Sequence, residues 1–196
     1  MKKISVLIIA VTSIALFQAC SGSKKSTASD STVTTTTTDS TKVVAAKTDS
    51  SAMVIADTTF AAKAAISGMA EVALGKMAAA KGASTKVKNF GQMMVTDHSK
   101  ANNELMGIAN GKNIQLPTSL DAEHQAKSDS LSKLSGKDFD IAYINAMIEG
   151  HKKTLALMQS EATNGKDAEL KAFAAKTAPV VQMHLDAVQK IHDNMK

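Results

Sequence analysis

The chain contains no arginine and no tryptophan, and only one tyrosine, one cysteine and two prolines among 196 residues. Each scarcity excludes something. Paired, planar recognition of phosphates and base edges depends chiefly on arginine, so nucleic-acid binding and phosphoryl transfer both lose their main instrument. Without tryptophan, and with Tyr143 as the sole tyrosine, there is no set of rings on which bases could stack. One cysteine cannot form an internal disulfide. Formal net charge is +5. Removal of Lys2 and Lys3 with a leader leaves 21 lysines against 18 acids, an excess of +3, too weak to attract a polyanion. No Ser-His-Asp order, glycine-rich phosphate loop, CxxC or HExxH is present, so nothing points to a nucleophilic enzyme.

What the chain does have begins with a leader. Met1-Lys2-Lys3 precedes an apolar run over 4–17, which is too short for a flanked membrane span, and then "FQAC". This reads as a lipoprotein-type signal peptide over 1–19, with Cys20 as the lipidated residue. Residues 20–56 are rich in serine, threonine, lysine and alanine and read as a disordered tether. The 36 residues after Cys20 would span roughly 30–36 Å as a flexible coil. The expected location is the cell envelope, as an outer-membrane lipoprotein facing the periplasm or the cell surface. The membrane is then a partner through the lipid anchor, and an envelope protein partner is left open.

Residues 57–196 change character. Alanine, methionine and helical periodicity dominate, in a length sufficient for one domain. The pattern predicts long helices over 58–81, 84–110, 138–163 and 167 to the end, with a shorter one over 120–134. Gly82, Gly111, Gly136 and Asn164-Gly165 act as stops, Ser84 caps the second helix, and Pro179 is expected to kink the last. The first and last connections are short, so each joins an antiparallel hairpin. The middle connection is long and carries the short helix. The predicted fold is all-α: a ferritin-like four-helix bundle of two antiparallel hairpins with a long helical crossover. "VKNF" at 87–90 and "LKAF" at 170–173 open the second and last helices as a faint internal repeat.

The histidines carry the chemistry. His98 falls on the apolar face with Val87, Phe90, Met94, Ala101 and Leu105. His151 lies amid Tyr143, Ile144, Met147, Leu155 and Met158, and His184 amid Leu170, Phe173, Val180, Val181, Val188 and Ile191. The first helix offers Glu71 on a strip with Phe60, Ala64, Gly68, Gly75 and Ala78. Three central imidazoles and a carboxylate converging in a bundle core suit a single transition metal, with zinc, iron or copper all compatible. Glu71, His98, His151 and His184 are therefore the candidate ligands. The competing reading keeps these four as a metal-free hydrogen-bond network that fixes helix packing in an interaction protein. Met94 and Met147 each precede a histidine by four residues, as a copper site would use them, but the last helix has Val180 there. Asp97 is placed to orient an imidazole or pair with a lysine, Asp140 to act as an N-terminal charge, and His124 and His192 to lie at the surface.

"VKNFGQMMVTDHSKANNEL", "SGKDFDIAYI" with the following His151, and "APVVQMHL" resemble the bacterial envelope family called domain of unknown function 4142, over about 57–191. The resemblance implies a ferritin-like fold and an envelope location, since members are labelled outer-membrane proteins, but no settled activity. Ferritin-like di-metal proteins carry Glu on two helices and Glu-x-x-His on the other two. Here Val95 and Val181 stand three residues before His98 and His184, and Glu149 falls on a polar face with Lys153. The bridging carboxylates are missing, so a ferritin-like redox enzyme is the weakest of the three readings.

Overall fold

A computed structural model describes residues 45–195, with side chains from 56 onward; the signal peptide, Cys20 and most of the tether lie outside them. Five helices follow in order: α1 (Ala45–Lys81), α2 (Thr85–Gly111), α3 (Ala122–Ser132), α4 (Gly136–Asn164) and α5 (Ala168–Asp193). The described residues contain no strand. None of their helices is long and apolar enough to cross a membrane. α1 packs chiefly on α2, and α4 on α5. The two antiparallel hairpins then meet through α1 with α4 and α2 with α5, while α3 crosses between them against α1. This is the expected four-helix bundle with its helical crossover.

Local signals explain most boundaries. The Ser84 hydroxyl accepts from the Lys86 amide, and Asp167 accepts from the amides of Glu169 and Leu170, so both second helices of the hairpins are capped by their own side chains. Asp121 does the same for α3 through the amide of His124. Gly136, expected to end the crossover helix, instead opens α4 with φ +60°, a conformation suited to glycine. α1 starts at Ala45, well before the expected 58. α5 runs through Pro179 as one helix, although the ring removes the amide that would bond one turn back. Val180, expected in the core, is 38% exposed, while Val181, His184, Leu185 and Val188 form the buried stripe.

The internal repeat is deeper than two tetrapeptides. An offset of 83 residues relates Phe90 to Phe173 and Gly82 to Gly165, and also Asp57 to Asp140 and Phe60 to Tyr143. These pairs play matching parts. Asp140 on α4 accepts from the amides of Ala83 and Ser84 at 2.9 and 2.7 Å, gripping the start of α2. Asp57 on α1 accepts from those of Lys166 and Asp167 at 3.2 and 2.8 Å, gripping the start of α5. Phe90 meets Tyr143 edge-on, and Phe60 meets Phe173 likewise, at centroid distances of 6.3 and 6.5 Å. Each hairpin thus clamps the other. Asp140, read from sequence as a charge at its own helix's start, in fact caps a different helix. Asp140→Ala is expected to cost about 2 kcal/mol, since two partly buried amides lose their charged acceptor; thermal unfolding measures it.

Glu161, near the end of α4, makes a further feature of that clamp. Burial, the charge of Asp57 on α1 and a hydrogen bond to it, and Asp167 at the start of α5 push its carboxyl up to about 7, with Lys171 opposing. The folded value lies above the unfolded one, so the proton is held more tightly in the fold. Stability from this group is present at low pH and is lost as pH rises through about 7. Glu161→Gln should therefore match the wild type below about pH 4 and exceed its melting temperature increasingly up to about pH 7. A constant difference across that range would refute the assignment.

α1 and α2 approach each other closely at two glycines. A Cβ on Gly91 would lie 2.6 Å from the Gly75 carbonyl oxygen, and one on Gly75 would lie 2.7 Å from that of Gly91. This contact fixes the height of α2 against α1, and with it the height of His98 against Glu71.

Candidate metal centre

The three core histidines meet. His98, His151 and His184 are all buried and come from α2, α4 and α5. Each offers a ring nitrogen within 4.8 Å of the nitrogens offered by the other two. The ring centroids are separated by 5.2 to 5.6 Å. Offset by 83 residues, the counterparts of His98, His151 and His184 are Val181, Gly68 and Ala101. A near-symmetric scaffold therefore holds an asymmetric site.

One nitrogen of each ring faces an oxygen. His98 Nδ1 lies 2.9 Å from Glu71 Oε2, though out of line for a well-formed hydrogen bond. His151 Nδ1 donates to the Met147 carbonyl at 2.8 Å. His184 Nε2 donates to Asp97 Oδ2 at 2.8 Å. A carbonyl or carboxylate oxygen can only accept, so these partners fix the proton on the facing nitrogen of His151 and His184. The opposite nitrogens, His98 Nε2, His151 Nε2 and His184 Nδ1, are buried and have no hydrogen-bond partner. When the rings are neutral, three lone pairs from three helices are left in the core without a donor. Leaving buried polar atoms unpaired is costly.

The charges divide accordingly. Burial works against the His98 imidazolium, but Glu71 and then Asp97 outweigh it and raise its pKa. Burial pushes Glu71 up, but the charge of His98 close beside it, followed by those of His151 and His184, holds it below its ordinary value. Burial lowers His151, opposed by Glu71 and helped by His98. Burial also lowers His184, against the Asp97 hydrogen bond and with the charges of His98 and His151. The surroundings thus favour the neutral imidazole, the form that coordinates metal, at His151 and His184, and hold His98 toward its charged form.

Of the four ligands expected from sequence, the structure brings the histidines together and sets Glu71 behind two of them. Its Oε1 lies 3.6 Å from His151 Nδ1, as its Oε2 lies beside His98 Nδ1. Asp97 takes the first of its two expected roles, and does so across hairpins. The sequence marks Tyr143 only as a core residue; its hydroxyl is buried without a partner, and burial with the nearby Glu71 charge pushes its pKa well up. His124 and His192 are only half-buried and stay outside the cluster, where they face Asp121 and Asp193.

The donor set suits a metal. Zinc, copper and iron accept imidazole nitrogen, with bonds of about 2.0–2.1 Å for zinc. Tetrahedral bonds of that length put nitrogens about 3.4 Å apart, inside the 4.8 Å that bounds their separations here. Three protein ligands leave one position open.

Residues 39–191 match a family described as domain of unknown function (DUF4142). No curated protein matches the sequence. Among solved structures, a DUF305 fragment from Deinococcus radiodurans superposes with a TM-score of 0.64 at 10% identity, covering 71% of this chain and 96% of that one. At that identity the likeness concerns the fold alone.

Proposed function

Since this chain belongs to the DUF4142 family, whose description names no activity, we propose from the site itself that the protein is a metal-binding helical bundle holding one transition-metal ion on His98 Nε2, His151 Nε2 and His184 Nδ1. The observation that carries this reading is the pairing of each ring: one nitrogen turned to an oxygen, the other buried and bare. Metal-bound histidines usually direct their second nitrogen to a carboxylate or carbonyl in this way, which fixes the tautomer and aims the lone pair. Glu71, the Met147 carbonyl and Asp97 are those orienting groups. The absence of bridging carboxylates favours one ion over two.

The leader and Cys20 support anchoring of this bundle to the cell envelope by a lipid. Metabolic labelling with a radioactive fatty acid, in wild type and Cys20→Ser, tests it; label retained in the variant would refute it.

Metal content by mass spectrometry tests the site. The protein is purified without a histidine tag or chelator and loaded with zinc, copper or iron in turn. About one ion per chain is expected for the wild type, lost in both His98→Ala and His151→Ala. No ion in the wild type under any loading would make the cluster a metal-free network.

A further inference from the structure

We infer that the cleft between α1 and α4, beneath α3, is the route by which a hydrated divalent transition-metal cation reaches the three imidazoles, with Glu71 as the first protein ligand it meets. This rests on the metal reading above and deepens it.

The cleft has a volume of about 400 Å³. Six waters at about 30 Å³ each occupy about 180 Å³, so a fully hydrated ion fits. Three other clefts, of about 370 to 480 Å³, have neither Glu71 nor a cluster histidine on their walls, and a fourth cavity that does touch Glu71 and His98 has a volume of only about 10 Å³, too small for a hydrated ion. This one has Glu71 on its wall, with Ser67, Ala70, Met147 and Gly150 beside it. Glu71 is 4% exposed, and both its carboxylate oxygens are buried without an aligned hydrogen-bond partner. It is an anionic group at the inner, largely apolar end of a passage whose wall also carries Lys63, Lys127 and Lys153 with Asp121, Glu123 and His124. An anion in low-dielectric surroundings draws cations inward more strongly than it would in water.

Gly150 keeps the passage open. A Cβ there would meet only one atom within 4 Å, Glu71 Oε1 at 3.9 Å. A longer side chain would fill the space in front of that oxygen. From Glu71 the ion must pass the rings of His98 and His151. The carboxylate touches the near nitrogens of both His98 and His151, and those rings stand edge-to-face with centroids 5.6 Å apart. Their bare nitrogens lie on the far side of the same rings.

α3 covers the outer end and is lightly held. Of its residues only Leu131 is buried. Two ion pairs, Lys127 with Glu149 at 3.1 Å and Lys153 with Glu123 at 3.5 Å, strap it to α4. Exposed pairs of this kind contribute little, so the N-terminal part of α3 over the cleft is weakly held, while its C-terminal end is fixed by buried Leu131 and by the Lys81 ammonium on the Ser132 carbonyl at 2.7 Å.

The test follows cobalt(II) uptake by stopped-flow absorbance, since the visible bands report nitrogen coordination directly. Gly150→Leu and, from the facing wall, Ser67→Leu should slow the appearance of those bands at least tenfold and leave their final intensity unchanged. Gly150→Ala should load within twofold of the wild-type rate. Ser67→Leu carries the test if Gly150→Leu does not fold. Wild-type rates in the folded leucine variants would overturn the route while leaving the site intact. A wild type that develops no cobalt band would overturn both.

Discussion

Replacing His151 by alanine is expected to weaken metal binding on the order of 10²–10³-fold, the share of one ligand in the 10–16 kcal/mol typical of a structural zinc site. Asp97→Ala, which touches no ion, is expected to cost about 10–100-fold, the usual consequence of losing an orienting partner. The order matters more than either figure. His151 is fully buried at the centre of the cluster, whereas Asp97 is one-third exposed and makes its one hydrogen bond to the cluster at His184 Nε2. Competition against a chelator of known affinity reads both losses. A parallel readout is thermal: an ion at 100 times its dissociation constant stabilises the wild type by about 2.7 kcal/mol. That increment should vanish in His151→Ala. A purely structural cluster behaves differently. Both variants would melt earlier, and added metal would shift none of the three melting temperatures.

Gly91→Ala is expected to destabilise the bundle by about 3 kcal/mol, at the upper end of the cost of overpacking. The added methyl would lie 2.6 Å from the Gly75 carbonyl oxygen and 2.8 Å from the Ala79 amide nitrogen. Backbone atoms on a facing helix cannot step aside as a side chain can, so α2 must move away from α1. His98 lies two turns further along α2, and Glu71 one turn before Gly75 on α1. The displacement therefore reaches the site, and metal affinity should fall although no ligand has changed. Gly107→Ala is the matched control. Nothing lies within 4 Å of a Cβ at that position, and the gain in helix propensity should raise stability by up to about 1 kcal/mol. Denaturant unfolding of the two variants measures both. A neutral Gly91→Ala would mean the helices are not in contact there.

The bundle was legible because its signals are local. Ser84, Gly82, Asn164-Gly165 and Asp167 mark hairpin turns by their own chemistry, and a 3.6-residue stripe identifies His98, His151 and His184 as core residues without any knowledge of their neighbours. The start of α1 was not legible. Lys47, Thr48, Asp49, Ser50 and Ser51 read as tether because composition there is polar, yet the helix runs through them. Val180 was misplaced because it borders the stripe that Val181, His184 and Val188 define, and a one-residue rotation decides such an edge.

What lay beyond the sequence was pairing across hairpins. Asp97 and His184 are 87 residues apart, and Asp140 grips amides 56 and 57 residues away. No spacing rule encodes such contacts. The available clue was the 83-residue offset, which aligns Asp57 with Asp140 and Phe60 with Tyr143 once Phe90 is set on Phe173. The division of labour among the four candidate ligands was hidden for the same reason. A carboxylate on the core face of α1 can coordinate an ion or orient the rings that do, and only the distances to Nδ1 of His98 and His151 separate the two roles.

The central claim is that three specific ring nitrogens hold one ion. Crystals grown with zinc, with diffraction recorded on both sides of the zinc absorption edge, test it most directly. One anomalous peak is expected, about 2.0–2.1 Å from His98 Nε2, His151 Nε2 and His184 Nδ1, with His184 Nε2 still on Asp97 and His151 Nδ1 still on the Met147 carbonyl. No peak inside the cluster, in crystals that bind zinc elsewhere, would contradict it.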